Sequence, residues 1–314
     1  MVGQGDGLGS RSVKHVERPL ALTNNAHDRA VEHRRDAEWM RRQWSSPETR
    51  ALLVVGSDIE VDADHRLPRW VAASEAPPGE KYLLGIDEHG NSRFAVHALD
   101  ERPGATYGGL RELGLAAGDE EASWLCHAVA LAQWHAAHGH CARCGEPTVV
   151  EAGGAERRCP ADGSLHFPRV DPAVIVLVTD DHDRALMGRQ AQWPEGRFST
   201  LAGFVEPGES AEQAVCREVA EEAGVEVIDI SLVATQPWPF PSSLMIGARA
   251  RVEGEQVPRP DGEELVDVRW FTRSELEHAV ANKTVMVPGP ISISRWLIDS
   301  WFGGELPDDR AGWR

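Results

Sequence analysis

Short apolar runs broken by turn residues open the readable part of the chain. Residues 51–55, 81–86 and 92–98 each read as strands, set apart by Pro77-Pro78-Gly79 and His89-Gly90-Asn91. The period then lengthens. Trp124, Leu125, Ala128, Val129, Leu131 and Ala132 recur at helical spacing and predict a helix over 120–138. A continuous apolar stretch, 173–178, reads as a buried strand. After the Pro207-Gly208 turn, Ser210 and Gln213 form a capping-box pattern and Gly224 supplies a stop, so a helix is expected between them. These patterns divide the chain into a Gly-rich tail over 1–20, expected to be disordered, and an N-terminal domain of mixed type over 21–138. A compact segment over 139–168, a second domain over 169–303 and a loose tail over 304–314 follow. No internal repeat is visible.

A length of 314 residues exceeds one ordinary core and fits this two-domain division. The net charge of -18, from 32 basic and 50 acidic residues, repels polyanions, and no basic stripe offers sequence-independent binding to DNA. A phosphate-bearing substrate must then be held through metal ions or a local positive site. That points to a small nucleotide, and only weakly away from an RNA end. No apolar run reaches the roughly 20 residues a membrane helix needs. The N-terminus lacks the apolar stretch of a signal peptide, and an odd cysteine count of 5 reads as reduced thiols, so a cytoplasmic location is expected.

The densest chemistry lies in 203–225, GFVEPGESAEQAVCREVAEEAGV. At about 100° per residue, Glu218, Glu221 and Glu222 share an arc of roughly 100° on one helix face, with Val215 and Val219 beside it to anchor the helix. Three such neighbours repel one another unless something neutralises them. A hard cation with oxygen ligands, such as Mg2+, is the natural partner. Arg217 is placed to pair with Glu221 one turn on.

This stretch resembles the signature of the Nudix hydrolases, G-x5-E-x7-R-E-U-x-E-E-x-G-U, where U is a bulky aliphatic residue. Gly203, Glu209, Arg217, Glu218, Val219, Glu221, Glu222, Gly224 and Val225 fill every fixed position. The resemblance implies an α-β-α sandwich and hydrolysis of a nucleoside diphosphate linked to a second group. It makes Glu218, Glu221 and Glu222 ligands of Mg2+ or Mn2+, with Glu222 the first choice for general base and Glu221 the second. By the same resemblance Glu264, with Glu263 adjacent, is a further metal ligand.

The signature leaves the second group open. Just beyond it, Gln236-Pro237-Trp238-Pro239-Phe240-Pro241-Ser242-Ser243 sets two aromatics among three prolines. Each proline fixes its own φ, so Trp238 and Phe240 are presented rigidly, as a platform for stacking on a flat heterocycle requires. The run from Thr235 to Ser243 resembles the element characteristic of the NADH pyrophosphatase branch of the Nudix family. That branch hydrolyses NAD(H) to nicotinamide mononucleotide and AMP and removes NAD caps from RNA 5' ends. The resemblance implies that residues 236–243 line the dinucleotide pocket, with Trp238 and Phe204 sandwiching the nicotinamide. It adds Phe167, Ala202 and Ser294 as substrate contacts, and implies a homodimer in which the aromatic platform can serve the partner's site. A hydrolase of ADP-ribose is the alternative within the family. A non-catalytic nucleotide sensor is the alternative outside enzymes, and the intact box carboxylates weigh against it.

Cys141-x2-Cys144 followed by Cys159 resembles a structural zinc ribbon, which in this branch has two C-x2-C pairs. Here the second pair reads Cys159-Pro160-Ala161-Asp162. Asp162 can ligate zinc, His166 or His140 can take its place after a loop shift, or the site can be empty. Cys126 and Cys216 are expected to be packed helix residues. The N-terminal region then corresponds to a β-rich α+β domain.

Overall fold

The structure, a computed structural model, describes residues 19–23, 27–62 and 67–307. The tail expected over 1–20 therefore lies outside the described residues up to residue 18, and the C-terminal one beyond residue 307. The N-terminal domain holds α1 (Ala37–Trp44), β1 (Arg50–Val55), β2 (Asp58–Val61), β3 (Trp70–Ala72), β4 (Glu80–Ile86), β5 (Ser92–His97), β6 (Thr106–Gly109), α2 (Leu110–Ala116) and α3 (Asp119–Ala137). Its strands form one sheet in the order β4-β5-β1-β2-β6, with β3 also on β1. Strand β1 is buried on both faces. Leu52 and Val54 join Leu125, Val129 and Ala132 of α3, whereas Ala51 and Leu53 meet Trp39, Met40 and Trp44 of α1. Alternation along one strand thus builds two half-cores.

The compact segment forms β7 (Val149–Glu151), β8 (Glu156–Arg158) and β9 (Leu165–His166) in a small sheet. Among the described residues it forms no apolar core cluster of its own; Val150 packs on the N-terminal domain's core, and buried polar groups tie the segment together and to α3. Buried Arg157 donates to His135 Nδ1 at 2.8 Å, to Thr148 Oγ1 at 2.7 Å and to the Thr148 carbonyl at 3.0 Å. His135 in turn stacks on Tyr82, with ring centroids 4.2 Å apart.

The second domain contains β10 (Asp171–Thr179), β11 (Ala185–Gln190), β12 (Leu201–Phe204), α4 (Ala211–Ala223), β13 (Ile228–Trp238), β14 (Ser243–Arg251), β15 (Leu265–Phe271), α5 (Arg273–Ala281) and α6 (Ile293–Phe302). The sheet runs β13-β14-β10-β11-β15, with β12 also on β10 and the β10–β14 pair parallel. Val174, Val176 and Val178 enter the core under α4, while Ile175 and Leu177 enter the core shared with α5 and α6. A strand covered on both faces must be apolar throughout, which is why 173–178 reads as a continuous run. Each such buried side chain contributes about 1.5–3 kcal/mol. The expected α-β-α sandwich is therefore present.

Both chain ends pack further than expected. Leu20 packs on the second domain's core, and Ala21 and Leu22 are buried in the first. At the other end, Leu306 is 2% exposed. Its N–H donates to Asp299 at 3.1 Å and its carbonyl accepts from Arg295. Single apolar residues in polar surroundings carry no periodicity, so neither attachment was visible in the pattern. Among the described residues no helix is long and apolar enough to cross a membrane.

Candidate active site

Helix α4 begins as its sequence dictates. Ser210 accepts from the Gln213 N–H, Gln213 answers at the Ser210 N–H, and Gly224 ends the helix at a φ of 64°. Arg217 then ties the helix to the loop before it. Its Nε and Nη2 make a bidentate pair with Glu209 at 2.7 and 2.8 Å, and Nη2 also reaches the Phe204 carbonyl at 2.8 Å. Nη1 donates to Glu218 at 2.8 Å and to Glu221 at 3.0 Å. The pairing holds the Glu209 carboxyl down at about 2. Gly203 completes the cradle: a Cβ there would lie 1.9 Å from the Glu218 carboxyl carbon, so only glycine lets that carboxylate sit against the sheet.

The three helix glutamates have different surroundings. Glu222 is 3% exposed and Glu218 8%, while the Glu221 side chain is 62% exposed. Burial, reinforced by the charges of Glu218, Glu264 and Asp261, pushes the Glu222 carboxyl up to about 8. The Ala202 N–H donates to Glu222, but its Oε2 is buried without a hydrogen-bond partner among the described residues. Burial likewise raises Glu218, against the pull of Arg217. An orphaned carboxylate oxygen among like charges is where a divalent cation fits, since the cation supplies the missing partner and offsets the repulsion. Glu264 lies close enough for its charge to raise both buried glutamates. Its turn is fixed by Asp261, whose carboxylate accepts from the N–H groups of Glu264 at 3.1 Å and Leu265 at 2.8 Å. Asp261 was missed in the sequence, where its turn-forming Asp-Gly pair was the available signal.

Glu222 lines a cavity with about 670 Å3 of empty space that opens to solvent. Of the expected substrate residues, Ala202, Gln236, Trp238 and Ser294 also line it. Within that wall Gln236 is 0% exposed and its amide is bonded to the surrounding backbone. Its Nε2 donates to the carbonyls of Ala21 and Ile291, both at 2.8 Å, and its Oε1 accepts from the Ile293 N–H at 2.9 Å. Ser294 Oγ lies among Ser199 Oγ, at 2.8 Å, and Thr200 Oγ1, at 2.7 Å.

The rest of the expected set lies elsewhere. Phe167 and Phe204 are 61% and 58% exposed and form no part of the cavity wall. Within one chain Phe204, the last residue of β12, is therefore not brought opposite Trp238 across the cavity. Phe240 packs on Trp238, with centroids 4.8 Å apart. Pro237, Pro239, Pro241, Ser242 and Ser243 shape the β13–β14 turn without lining the cavity; Ser242 Oγ donates to Asp171 at 2.8 Å. Sequence reasoning missed Gln190, Trp193 and Met245, which do line it; no motif marks them.

The NUDIX domain model matches residues 169–297, and the model for the NADH pyrophosphatase zinc ribbon domain matches 136–167. The chain is 40% identical to the NAD-capped RNA hydrolase NudC of Mycobacterium bovis, across 89% of this chain and 94% of that protein. It belongs to the NAD-capped RNA hydrolase branch of the Nudix family. Other members of the branch are similarly close. The NudC of Stutzerimonas stutzeri is 38% identical over 78% of this chain and 86% of its own length. The human NAD-capped RNA hydrolase NUDT12 is 40% identical over 82% of this chain and 58% of its own length.

The zinc ribbon of this branch takes an altered form here. Donor atoms of Cys141, Cys144, Cys159 and Asp162 all lie within 4.8 Å of one another. Two turns of the same shape bring them together. In the first, the Gly145 N–H donates to the Cys141 carbonyl; in the second, the Gly163 N–H donates to the Cys159 carbonyl, each at 2.9 Å. Asp162 therefore stands in its turn where Cys144 stands in the other. Neither His140 nor His166 belongs to the cluster. His166 instead meets Ser164 at 3.2 Å, and Ser164 donates to Asp162 at 2.6 Å. The Ser164 hydroxyl holds the Cys141 thiol down at about 6, while burial pushes Cys159 up to about 11. Of the remaining cysteines, Cys126 is packed as expected, but Cys216 is exposed on α4. Its position is one residue beyond buried Val215, on the solvent side of the helix.

Proposed function

We propose that this chain is a Mg2+- or Mn2+-dependent diphosphatase. It hydrolyses NAD(H) to nicotinamide mononucleotide and AMP and removes NAD caps from RNA 5' ends. The observation that carries this reading is a buried carboxylate, Glu222, with one oxygen unpartnered among the described residues, in the wall of a cavity that also contains an aromatic platform, Trp238. Glu218, Glu221, Glu222 and Glu264 would hold the cation, which neutralises diphosphate charge and lowers the pKa of bound water. Glu222 accepts the proton as the water oxygen bonds to phosphorus and the bridging P–O bond breaks, releasing one mononucleotide. Glu221 is less suited to this, being exposed and paired with Arg217. Arg217 keeps Glu218 and Glu221 oriented. Trp238 stacks on a flat base and so favours a dinucleotide carrying one.

The cluster of Cys141, Cys144, Cys159 and Asp162 holds one structural zinc, away from the chemistry. A homodimer is supported by Phe167, Val170 and Phe204, which are 61%, 60% and 58% exposed around the start of β10 and the end of β12. In it the partner covers this apolar edge. The reduced thiols suit the cytoplasm.

The test is incubation with NADH, NAD+, ADP-ribose and NAD-capped RNA in Mg2+ or Mn2+, with products separated by chromatography. Nicotinamide mononucleotide and AMP are expected from NAD(H). A preference for ADP-ribose would overturn the substrate reading, and silence on all substrates would favour a nucleotide sensor.

A further inference from the structure

The N-terminal domain carries none of the Nudix signature, yet it reaches the aromatic element directly. Gln133 on α3 donates from Nε2 to the Pro239 carbonyl at 2.9 Å. Arg111 on α2 places its guanidinium 4.4 Å from the Phe240 ring centroid and 5.7 Å from that of Trp238. Both rings pack on the N-terminal domain's core, while Trp238 also lines the cavity. The tryptophan is thus a shared wall, with substrate space on one side and the other domain on the other.

The tip of the turn has few backbone donors with which to hold the two rings. Pro237, Pro239 and Pro241 have no N–H groups, and the Phe240 N–H is taken by the Trp238 carbonyl at 2.7 Å. Outside help must come through side-chain faces and the remaining carbonyls, and these are what Arg111 and Gln133 engage. An arginine over an aromatic face is attracted by the ring quadrupole.

We propose that the N-terminal domain is a specificity-determining part of the active site. Arg111 and Gln133 act as positioning residues that hold Trp238 and Phe240 where Trp238 stacks on the nicotinamide base. This rests on the reading of the substrate as NAD(H). Neither residue meets the reacting atoms, so their loss weakens binding of the nicotinamide-bearing substrate and leaves the chemical step intact.

The experiment measures kcat and KM for NADH and for ADP-ribose, which keeps the adenine and lacks the nicotinamide, together with Tm. It compares full-length wild type with Arg111→Met, Gln133→Leu, the double variant and Arg111→Lys. Each single variant should raise KM for NADH about three- to fivefold, and the double variant about tenfold, with kcat changed less than twofold. Selectivity for NADH over ADP-ribose falls by the same factor. Arg111→Lys, which keeps the cation, should return KM to within about twofold of wild type. Arg111 is exposed, so its variants keep the fold. Folded variants that retain wild-type selectivity would sink the inference, as would an equal loss on both substrates. A wild type that fails to select NADH overturns the substrate reading itself, and the inference with it.

Discussion

Two clusters of candidate cation ligands in this chain are built in opposite ways. The ribbon cluster draws Cys141, Cys144, Cys159 and Asp162 from two like turns close in sequence. The carboxylate cluster gathers Glu218 and Glu222 from a helix, Glu264 from a distant turn and a cradle from Gly203, beside a cavity. The first closes its donors on one another, as a structural zinc site does. The second leaves a buried oxygen unpartnered and like charges unrelieved, an arrangement that costs stability until a cation and a substrate arrive. Function sits where the fold has left something unsatisfied.

Four measurements would break or sharpen this contrast. The largest effect should come from Glu222→Gln, which keeps the shape and removes the base. We expect kcat on NADH to fall about a thousandfold with the fold retained; a fall below tenfold would shift the role of base to Glu221. The second is the stability of metal-free protein against pH. Burial raises the Glu222 carboxyl in the folded chain to about 8, from an ordinary value of 4.5. Between these values the folded chain keeps a proton that the unfolded chain has lost. Stability therefore falls as pH rises across that window, by roughly 3–5 kcal/mol. Tm in chelator should drop from pH 5 to pH 8.5, Mg2+ or Mn2+ should restore it, and Glu222→Gln should remove that component. A wild type and variant with parallel pH profiles would contradict the assignment.

On the ribbon side, Cys159→Ser should release zinc, measured by atomic absorption, and lower Tm by roughly 5 °C or more. The remaining folded enzyme should keep kcat within about threefold, because the site does no chemistry. A kcat collapse without a Tm change would refute a structural role. The smallest effect is expected from Asp162→Cys. A thiolate in place of the carboxylate should tighten zinc by roughly tenfold in competition with a chelator, and no tightening would mean that Asp162 is not a ligand.

Much of this was written along the chain. Helix α4, with its cap, its stop and its spaced glutamates, is local. A capping box and a 3.6-residue period act over a few residues, so they survive being read one residue at a time. The paired turns of the ribbon are local too, since each closes over five residues with a glycine at its end. The strand 173–178 was legible because burial on both faces demands an unbroken apolar run.

What only the tertiary structure decided are the relations between distant segments. Gln236 reads as a substrate contact in its motif, yet its amide joins Ala21, Ile291 and Ile293 from the two ends of the chain. Glu221 and Glu222 are equivalent letters in the signature. Packing against the sheet desolvates Glu222 and leaves Glu221 in water, and that difference is why Glu222 is the proposed base. Arg111, Gln133 and Trp193 carry no local mark, because what they touch or line comes from other parts of the fold. Short-range chemistry is set by covalent spacing; burial, orphaned atoms and the wall of a cavity exist only once remote segments meet.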